Sequence, residues 1–240
     1  MRNTSSCPSV SEYRSFASEV KYVIDKARAN AIREWARKRF KPDPDAAEAV
    51  GDTYRTSSLY LDTEDFDVLQ RTGSFGRCKY RIRRYGLADT LFLERKLRTT
   101  AVVIKRRTVV PMGQLENLTR EKAAGGWDGY WFHRRLLLRR LQPACHINYV
   151  RTALVGKSEN GRVRLTIDDE VRAIPAVEYG FGGTGESFDI VNGNNILELK
   201  FYEAMPAVFE SLVKEFNLEP ASISKYRLAA PRIQALGKAA

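Results

Sequence analysis

The sequence contains few of the residues that build metal–thiolate sites or disulfide frameworks. Only three cysteines, Cys7, Cys78 and Cys145, and two histidines, His133 and His146, occur in 240 residues. The cysteines are odd in number, lie far apart and form no CxxC pair, so their spacing does not support a Cys/His zinc site. A reducing compartment fits this usage best, and we expect Cys78 and Cys145 to be core or strand residues rather than nucleophiles.

Long apolar runs are also missing. No window approaches the 18 uncharged apolar residues that a membrane-spanning helix needs, so no span is predicted. The first twenty residues include Arg2, Glu12, Arg14 and Glu19 and lack an apolar segment, so we expect no signal peptide and a cytoplasmic protein. No internal repeat or low-complexity block is present, and 43% hydrophobic residues suffice for a folded core.

Positive charge is what the chain has in excess. Forty Lys and Arg against twenty-nine Asp and Glu give a formal net charge of +11. This excess implies an anionic partner, and nucleic acid, acidic lipid and polyphosphorylated small molecules all satisfy it. The excess is concentrated, because residues 77–107 contain eleven basic and two acidic residues.

Two glycine motifs are weak. Residues 156–158 (GKS) resemble the end of a P-loop, but Arg151 stands where the first glycine is needed and a hairpin turn is predicted there. Residues 180–185 match GxGxxG, but a strand rather than a helix follows and no βαβ unit surrounds them. Neither motif supports a nucleotide-binding α/β fold.

The hydrophobic pattern predicts an α+β fold with an antiparallel sheet of about eight strands. Strands are predicted at 16–24, 54–61, 147–155, 162–168, 171–178 and 196–202, with a three-stranded meander over 77–107. Helices are predicted at 26–40, 64–71, 114–122, 127–141, 206–216 and 224–236, the first capped by Asp25 and the last interrupted near Pro231. We expect residues 1–15 to form a flexible N-terminal tail and residues 16–240 a single domain.

Charged residues recur at every second position of these strands. Side chains two residues apart share a face of a strand, so Lys79, Arg81 and Arg83 face one way and Tyr80 and Ile82 the other. Five further segments repeat the pattern, with the charged pairs Glu19/Lys21, Glu94/Lys96, Lys105/Arg107, Arg162/Arg164 and Glu198/Lys200.

For a single strand, a charged face in water is the ordinary interpretation. Six such strands make that interpretation less convincing. The crowding of positive charges within 77–107, which would destabilise a sheet, favours a polyanion lying among them. Helices covering the apolar faces would turn the charged faces inward and close the sheet into a barrel. Lys and Arg suit a chain of phosphates, and Glu19, Glu94 and Glu198 would reach phosphate through a divalent cation. Local pairing with the Lys two residues on is the alternative for Glu19 or Glu94.

Nine short segments in order also carry a family resemblance: E-V-K-Y at 19–22, S-L-Y-L-D-T at 58–63, K-Y-R-I-R-R-Y-G at 79–86, F-L-E-R-K at 92–96, I-K at 104–105, Y-V-R-T-A at 149–153, R-V-R-L-T-I-D at 162–168, L-E-L-K at 197–200 and S-K-Y at 224–226. They resemble the VTC domain, the polyphosphate polymerase module of the vacuolar transporter chaperone complex, within the triphosphate tunnel metalloenzymes. The chain departs from the family at Ser222, where fungal members have a basic residue, and in the short Glu19-Val20-Lys21 version of the ExExK signature.

The resemblance implies a closed antiparallel (CYTH-like) barrel with helices outside, whose basic tunnel transfers the γ-phosphate of ATP to inorganic polyphosphate with Mn²⁺ or Mg²⁺. It implies a catalytic set of Lys21, Arg81, Arg83, Lys96, Lys105, Arg151, Arg164 and Glu198. Further phosphate contacts are expected from Lys79, Arg107, Arg162, Lys200, Ser224 and Lys225. The expected metal ligands are Glu198, Glu94 and Glu19.

Two other functions remain open at this point. A tripolyphosphatase or nucleoside triphosphatase on the same tunnel would need little change in sequence, because water would replace the acceptor. A non-enzymatic polyanion or nucleic-acid binder is supported by the charge and by eleven tyrosines and eleven phenylalanines. No RNP1-type stacking motif or recognition helix is present, so we expect no nucleic acid as a partner. The resemblance implies ATP and inorganic polyphosphate or triphosphate as partners.

Overall fold

The fold is mixed α+β, as predicted. The computed structural model describes residues 11–15, 17–44, 50–98, 103–123, 125–182 and 185–238, with backbone alone for 11–15, 17, 237 and 238. The strands are β1 Ser11–Ser15, β2 Ala17–Ile24, β3 Lys41–Pro42, β4 Thr53–Asp62, β5 Cys78–Tyr85, β6 Thr90–Arg98, β7 Val103–Pro111, β8 Gln142–Ser158, β9 Gly161–Pro175, β10 Phe188–Asp189 and β11 Asn195–Tyr202. The α-helices are α1 Lys26–Arg37, α2 Asp67–Gln70, α3 Tyr130–Arg139, α4 Ala207–Glu215 and α5 Lys225–Lys238.

One large antiparallel sheet organises the molecule, in the order β1-β7-β6-β5-β4-β8-β9-β11-β2, with β3 added to β8 and β10 to β9. In the described part of the chain no ladder joins β1 to β2, so the closed hydrogen-bonded barrel that we expected is not seen. The sheet nevertheless curls back on itself. Ser15 and Ala17 belong to its two edge strands and are separated by a single residue, which keeps their Cα atoms within about 7 Å.

Side chains confirm the curl. Lys96 on β6 approaches Glu19 on β2 to 3.5 Å, although five strands separate β6 from β2 in the sheet order. The concave face of the sheet therefore encloses a space, which we call the interior. Its walls are the inward side chains of β2, β4–β9 and β11.

Several local predictions need correction. Residues 11–15, expected in the tail, form β1, which pairs with β7 from Ser11↔Arg107 to Ser15↔Val103. The helix predicted over 114–122 is a 3₁₀ helix, Met112–Thr119. The two strands predicted within 162–178 are one strand, β9, although Glu170 has a left-handed φ of 50°. The last helix continues through Pro231 instead of stopping there.

Helices cover the convex face of the sheet, as the apolar stripes predict. Asp25 caps α1 by accepting a hydrogen bond from the backbone N–H of Arg28 at 2.8 Å. The α1 stripe, which includes the buried Ile32, joins α4 over β2, β9 and β11. Helix α3, through Phe132, covers β5 and β6, whereas α5 packs on β8 and β9 from the concave side, where Tyr226 stacks on Tyr60. With its apolar face buried by helices, the sheet presents its charged face to the interior.

The cysteines behave as expected where they are described. Cys78 and Cys145 are buried and carry no disulfide, and burial raises the pKa of the Cys145 thiol above its usual range. Cys7 lies outside the described residues. None of the described helices is long and apolar enough to cross a membrane.

The contact between α4 and the sheet generates a stability prediction. Phe209 is fully buried, with its ring centroid 6.0 Å from Phe40 and 6.2 Å from Phe201. Replacing Phe209 with Ala should lower the free energy of unfolding by about 3–5 kcal/mol, because it leaves a cavity between α4 and β11. Urea denaturation measures this loss. Leu138→Ala, at a residue 66% exposed, is the control, and equal effects of both changes would contradict the assignment.

Candidate active site

The interior is lined with charges because of strand register. On β5, β6 and β7 one row across the strands consists of Lys79, Lys96 and Lys105, directly opposite one another. The next inward row consists of Arg81, Glu94 and Arg107. The intervening side chains, such as Tyr80, Ile82, Leu91 and Leu93, are buried under helices on the other face. The period-two pattern in the sequence therefore predicted the inward face correctly.

Glu94 is the counter-ion of the arginine row. Its side chain is 2% exposed and accepts from Arg81 Nε at 2.5 Å and Arg107 Nε at 2.7 Å, while Lys105 Nζ lies 2.8 Å from its Oε1. Burial alone would raise the pKa of Glu94, but Arg81, Lys105 and neighbouring cations outweigh burial and hold the pKa well below its usual range. Both carboxylate oxygens are thus occupied by cations.

A second group of charges joins β2 to β11. Lys21 Nζ lies 2.7 Å from Glu19 and 3.5 Å from Glu198, and Lys200 Nζ lies 2.8 Å from Glu198 and 3.6 Å from Glu19. Lys96 adds a contact to Glu19 at 3.5 Å. Burial opposes ionisation of Glu198, but Lys200 and Lys21 keep its pKa well below the usual value. Two carboxylates therefore share the same two lysines.

A third group contains a carboxylate that the sequence analysis missed. Asp168 on β9 is fully buried and accepts from Arg151 Nε at 2.6 Å and Arg151 Nη2 at 2.8 Å. Lys225, at the start of α5, also donates to Asp168. Burial opposes ionisation, but Arg151 and Lys225 lower the pKa of Asp168 to about 2. The period-two series on β9, continued past Arg164, was the available signal.

Arg162 and Arg164 meet a further unpredicted carboxylate. Asp43, in the loop after β3, lies 2.8 Å from Arg162 Nη2 and 2.6 Å from Arg164 Nε, and its side chain is 1% exposed. Arg164 also donates to the hydroxyl of Tyr54 at 3.2 Å. Asp43 comes from the K-P-D-P-D run at 41–45, which follows the helix predicted at 26–40 and was not predicted to contribute to the site.

Tyrosines also line the interior, and none of them was predicted. Arg81 donates to Tyr60 at 3.3 Å, and the Arg83 guanidinium lies 5.8 Å from the ring of Tyr85. Arg83 is buried and donates to Ser58 Oγ at 3.0 Å. Burial would raise the pKa of Tyr85, but Arg83 and a neighbouring arginine lower it to about 7.

Two lysines of the lining, Lys79 and Lys105, have lowered pKa values because they are buried near other cations. Burial, reinforced by Arg227 and Lys21, lowers the pKa of Lys79 to about 7. Burial likewise lowers the pKa of Lys105 to about 8, although its Glu94 partner opposes the change. Lys79 Nζ donates to Ser224 Oγ at 2.7 Å. A bound anion would favour the protonated form of both lysines and raise their pKa values.

The described carboxylates fit a metal site completed by substrate rather than one built from protein alone. No group of three or more His, Cys, Asp or Glu that could hold a metal ion occurs among the described residues. Glu19 and Glu198 lie close enough to share Lys21 and Lys200. One or two carboxylates plus phosphate oxygens is the usual environment of Mg²⁺. Glu94 fits less well, because arginines occupy it.

Not all of the positive charge within 77–107 lines the interior. Arg84 donates to the carbonyl oxygens of Leu87 and Ala88, outside the enclosed space. Arg95 and Arg106 face each other on the convex side, where Arg106 lies 4.3 Å from the ring of Trp131. The sequence analysis therefore overestimated the charge of the interior wall.

Comparison with known proteins agrees with this geometry. The sequence profile of the VTC domain matches residues 16–231. No curated protein matches the chain significantly. Among solved structures, a protein proposed to be an adenylate cyclase from Bacillus halodurans has a TM-score of 0.54 at 13% identity, covering 89% of this chain and 95% of that chain. A proposed adenylyl cyclase from Hippeastrum, described as having a dominant triphosphatase activity, has a TM-score of 0.53 at 17% identity, covering 91% and 95%. At these identities the structural likeness shows the fold alone.

The lowered lysine pKa values predict a pH dependence. Between about pH 6 and 9 Lys79 and Lys105 lose positive charge and Tyr85 gains negative charge, so anion binding should weaken by about tenfold or more. Cyclic trimetaphosphate, whose own charge is constant over this range, is the probe, titrated calorimetrically in metal-free buffer. Lys79→Arg should flatten the dependence. An affinity that rises with pH would contradict the proposed charge states.

Proposed function

The chain belongs to the VTC-domain family, and we propose that it is a metal-dependent polyphosphate polymerase that transfers the γ-phosphate of ATP to inorganic polyphosphate. The observation that supports the proposal is that two walls of the interior carry different sets of charged side chains. Inward arginines surround Glu94 on one wall, and the Glu19–Glu198 carboxylate pair lies on another with its lysines. Phosphoryl transfer requires both, because highly charged reactants must be bound and neutralised.

The proposed substrate path is a tunnel. The curled sheet already surrounds the interior, and we propose that β1 and β2, joined through residue 16, complete its wall when a phosphate chain is bound. A closed wall would exclude water from the transferred group, which favours transfer to a phosphate acceptor over hydrolysis.

Positioning of the reacting phosphates and neutralisation of their charge would account for the rate of transfer. Arg81, Arg83 and Arg107 would bind oxygens of the transferred phosphoryl group, and their guanidinium groups suit bidentate contacts. Arg151, fixed by the buried Asp168, would bind a neighbouring phosphate. The attacking atom would be a terminal phosphate oxygen of the acceptor chain. Since that oxygen is already ionised, no general base is required.

Glu198 and Glu19 would hold the divalent cation, Mn²⁺ or Mg²⁺. A cation held there would supply neutralisation of phosphate charge. The lysines that now pair with these carboxylates, Lys21 and Lys200, are placed to bind phosphate beside it. In this arrangement Glu94 orients arginines and is not a ligand.

A tripolyphosphatase or nucleoside triphosphatase is the second candidate. The triphosphatase activity described for the Hippeastrum protein, which shares this fold, favours it. The same side chains would bind the triphosphate, and water would replace the phosphate acceptor. Product analysis separates the two functions.

The polymerase proposal predicts a product. Purified protein with ATP and Mn²⁺ should form acid-insoluble polyphosphate and release ADP, and Glu198→Gln should lower the rate by about a hundredfold or more, because it removes a charged metal ligand. Glu210→Gln, on the exposed surface of α4, is the matched control and should leave the rate unchanged. Wild-type protein that releases only short phosphates would exclude polymerisation and favour the triphosphatase. Binding of single-stranded RNA in preference to tripolyphosphate, with no turnover, would indicate a nucleic-acid binder.

The metal assignment is tested separately. Glu19→Gln and Glu198→Gln should each weaken Mn²⁺ binding in the presence of a non-hydrolysable ATP analogue by about tenfold or more, since each removes a ligand charge. Glu94→Gln should leave the Mn²⁺ affinity nearly unchanged, because its partners are Arg81, Lys105 and Arg107. Electron paramagnetic resonance measures free Mn²⁺ directly. A larger loss for Glu94→Gln than for Glu19→Gln would reverse the assignment.

A further inference from the structure

Just before α5 the chain passes from one wall of the interior to another. We call residues 221–226 the crossing segment. It begins beside β2, where the N–H of Ala221 donates to the carbonyl oxygen of Lys21 at 2.7 Å. Three residues later, Ser224 accepts a hydrogen bond from Lys79 on β5 at 2.7 Å. The segment therefore spans from one wall of the interior to another.

Lys225 extends this crossing to the remaining walls. Its ammonium donates to Asp168 on β9 and lies 4.7 Å from the ring centroid of Tyr149 on β8. Residues 217–224 lie outside helices and strands, whereas Lys225 begins α5 and the Ser224 carbonyl oxygen accepts a helical hydrogen bond from the Leu228 N–H at 3.0 Å. The start of α5 therefore places Ser224 and Lys225. Their positions depend on what anchors the segment at its end.

Tyr226 is that anchor. It is 1% exposed, and its hydroxyl donates to Asp62 Oδ2 at the end of β4. Its ring stacks on Tyr60 with centroids 5.3 Å apart and planes 14° apart. A buried hydroxyl bonded to a carboxylate, on a ring held by stacking, fixes the backbone at this point.

Asp62 is itself rigid. It is fully buried, and its Oδ1 accepts from the backbone N–H groups of Thr63 and Val68, both at 2.8 Å. Its Oδ2 accepts from the N–H of Leu69 at 3.0 Å and from Tyr226. Among the described residues no cation pairs with Asp62, so dipoles alone satisfy its charge. Asp62 therefore holds the turn into α2 and the crossing segment with one carboxylate.

We propose that Asp62 and Tyr226 are positioning residues for phosphate binding: their hydrogen bond places Ser224 and Lys225 in the interior. The inference rests on the proposed function, because it assumes that these two side chains contact phosphate. It gives a role to Asp62 of the S-L-Y-L-D-T segment and to Tyr226 of the S-K-Y segment, which do not themselves pair with the lining cations. A purely structural role for the pair is the competing explanation.

A double-mutant cycle separates positioning from structure. Tripolyphosphate dissociation constants are measured calorimetrically for the full chain, for Tyr226→Phe, for Lys225→Ala and for the double variant. Tyr226→Phe should weaken binding by about tenfold, the effect of one lost hydrogen bond to a charged group. Because Tyr226 acts through Lys225, the double variant should bind no more than about twofold more weakly than Lys225→Ala alone. Independent, additive losses would overturn the proposal.

The control is Tyr179→Phe. Tyr179 is a partly buried tyrosine whose hydroxyl donates to the Leu141 carbonyl oxygen, away from the lining cations. It should lower thermal stability without changing tripolyphosphate affinity, and an equal loss of affinity would refute positioning. If Tyr226→Phe does not fold, Asp62→Asn replaces it, with the same cycle and the same expected outcome. Binding is read without turnover, so protein that binds tripolyphosphate but makes no polymer refutes polymerisation alone.

Discussion

The rest of the structure depends on how the interior cations are neutralised. Inward strands place lysines and arginines in direct cross-strand opposition, as in the Lys79–Lys96–Lys105 row, which would destabilise the sheet if nothing compensated it. Buried carboxylates supply the compensation. Glu94 binds one group of cations and Asp168 another, while Glu19 and Glu198 share a third. Such pairs contribute little net stability, but losing one partner would leave a buried charge unpaired.

Carboxylates do not neutralise all of the interior cations where phosphate is proposed to bind. Lys79 has Ser224 as its hydrogen-bond partner, and its low pKa reflects burial among other cations. A folded-state pKa below the unfolded value means that the protonated lysine opposes folding. The unfolding free energy contributed by this group therefore rises as pH increases through about 7 toward the unfolded value. A bound polyanion would remove that cost, so stability and ligand binding are linked through the same residues.

Much of the fold follows from alternation and capping. The period-two pattern predicted which side chains of β5, β6 and β7 face inward, and the Asp25 cap predicted the start of α1. Alternation alone did not reveal β1, because pairing of Ser11–Ser15 with β7 is a long-range contact that leaves no local periodicity. Asp43 was missed for a similar reason. A loop carboxylate reaches Arg164 only once β3 is paired with β8.

The sum of charges over a sequence window predicted the lining of the interior less reliably than the strand register did. A window sum treats Arg106 and Arg107 alike, although one stacks outside on Trp131 and the other binds Glu94 in the interior. Once the outer arginines are set aside, the interior cations of the described residues still outnumber the carboxylates that pair with them, which are Glu19, Asp43, Glu94, Asp168 and Glu198. The interior is thus a lattice of ion pairs with an excess of positive charge. Such a lattice can accept a phosphate chain by exchanging carboxylate partners for phosphate oxygens, with the charges already oriented before substrate arrives.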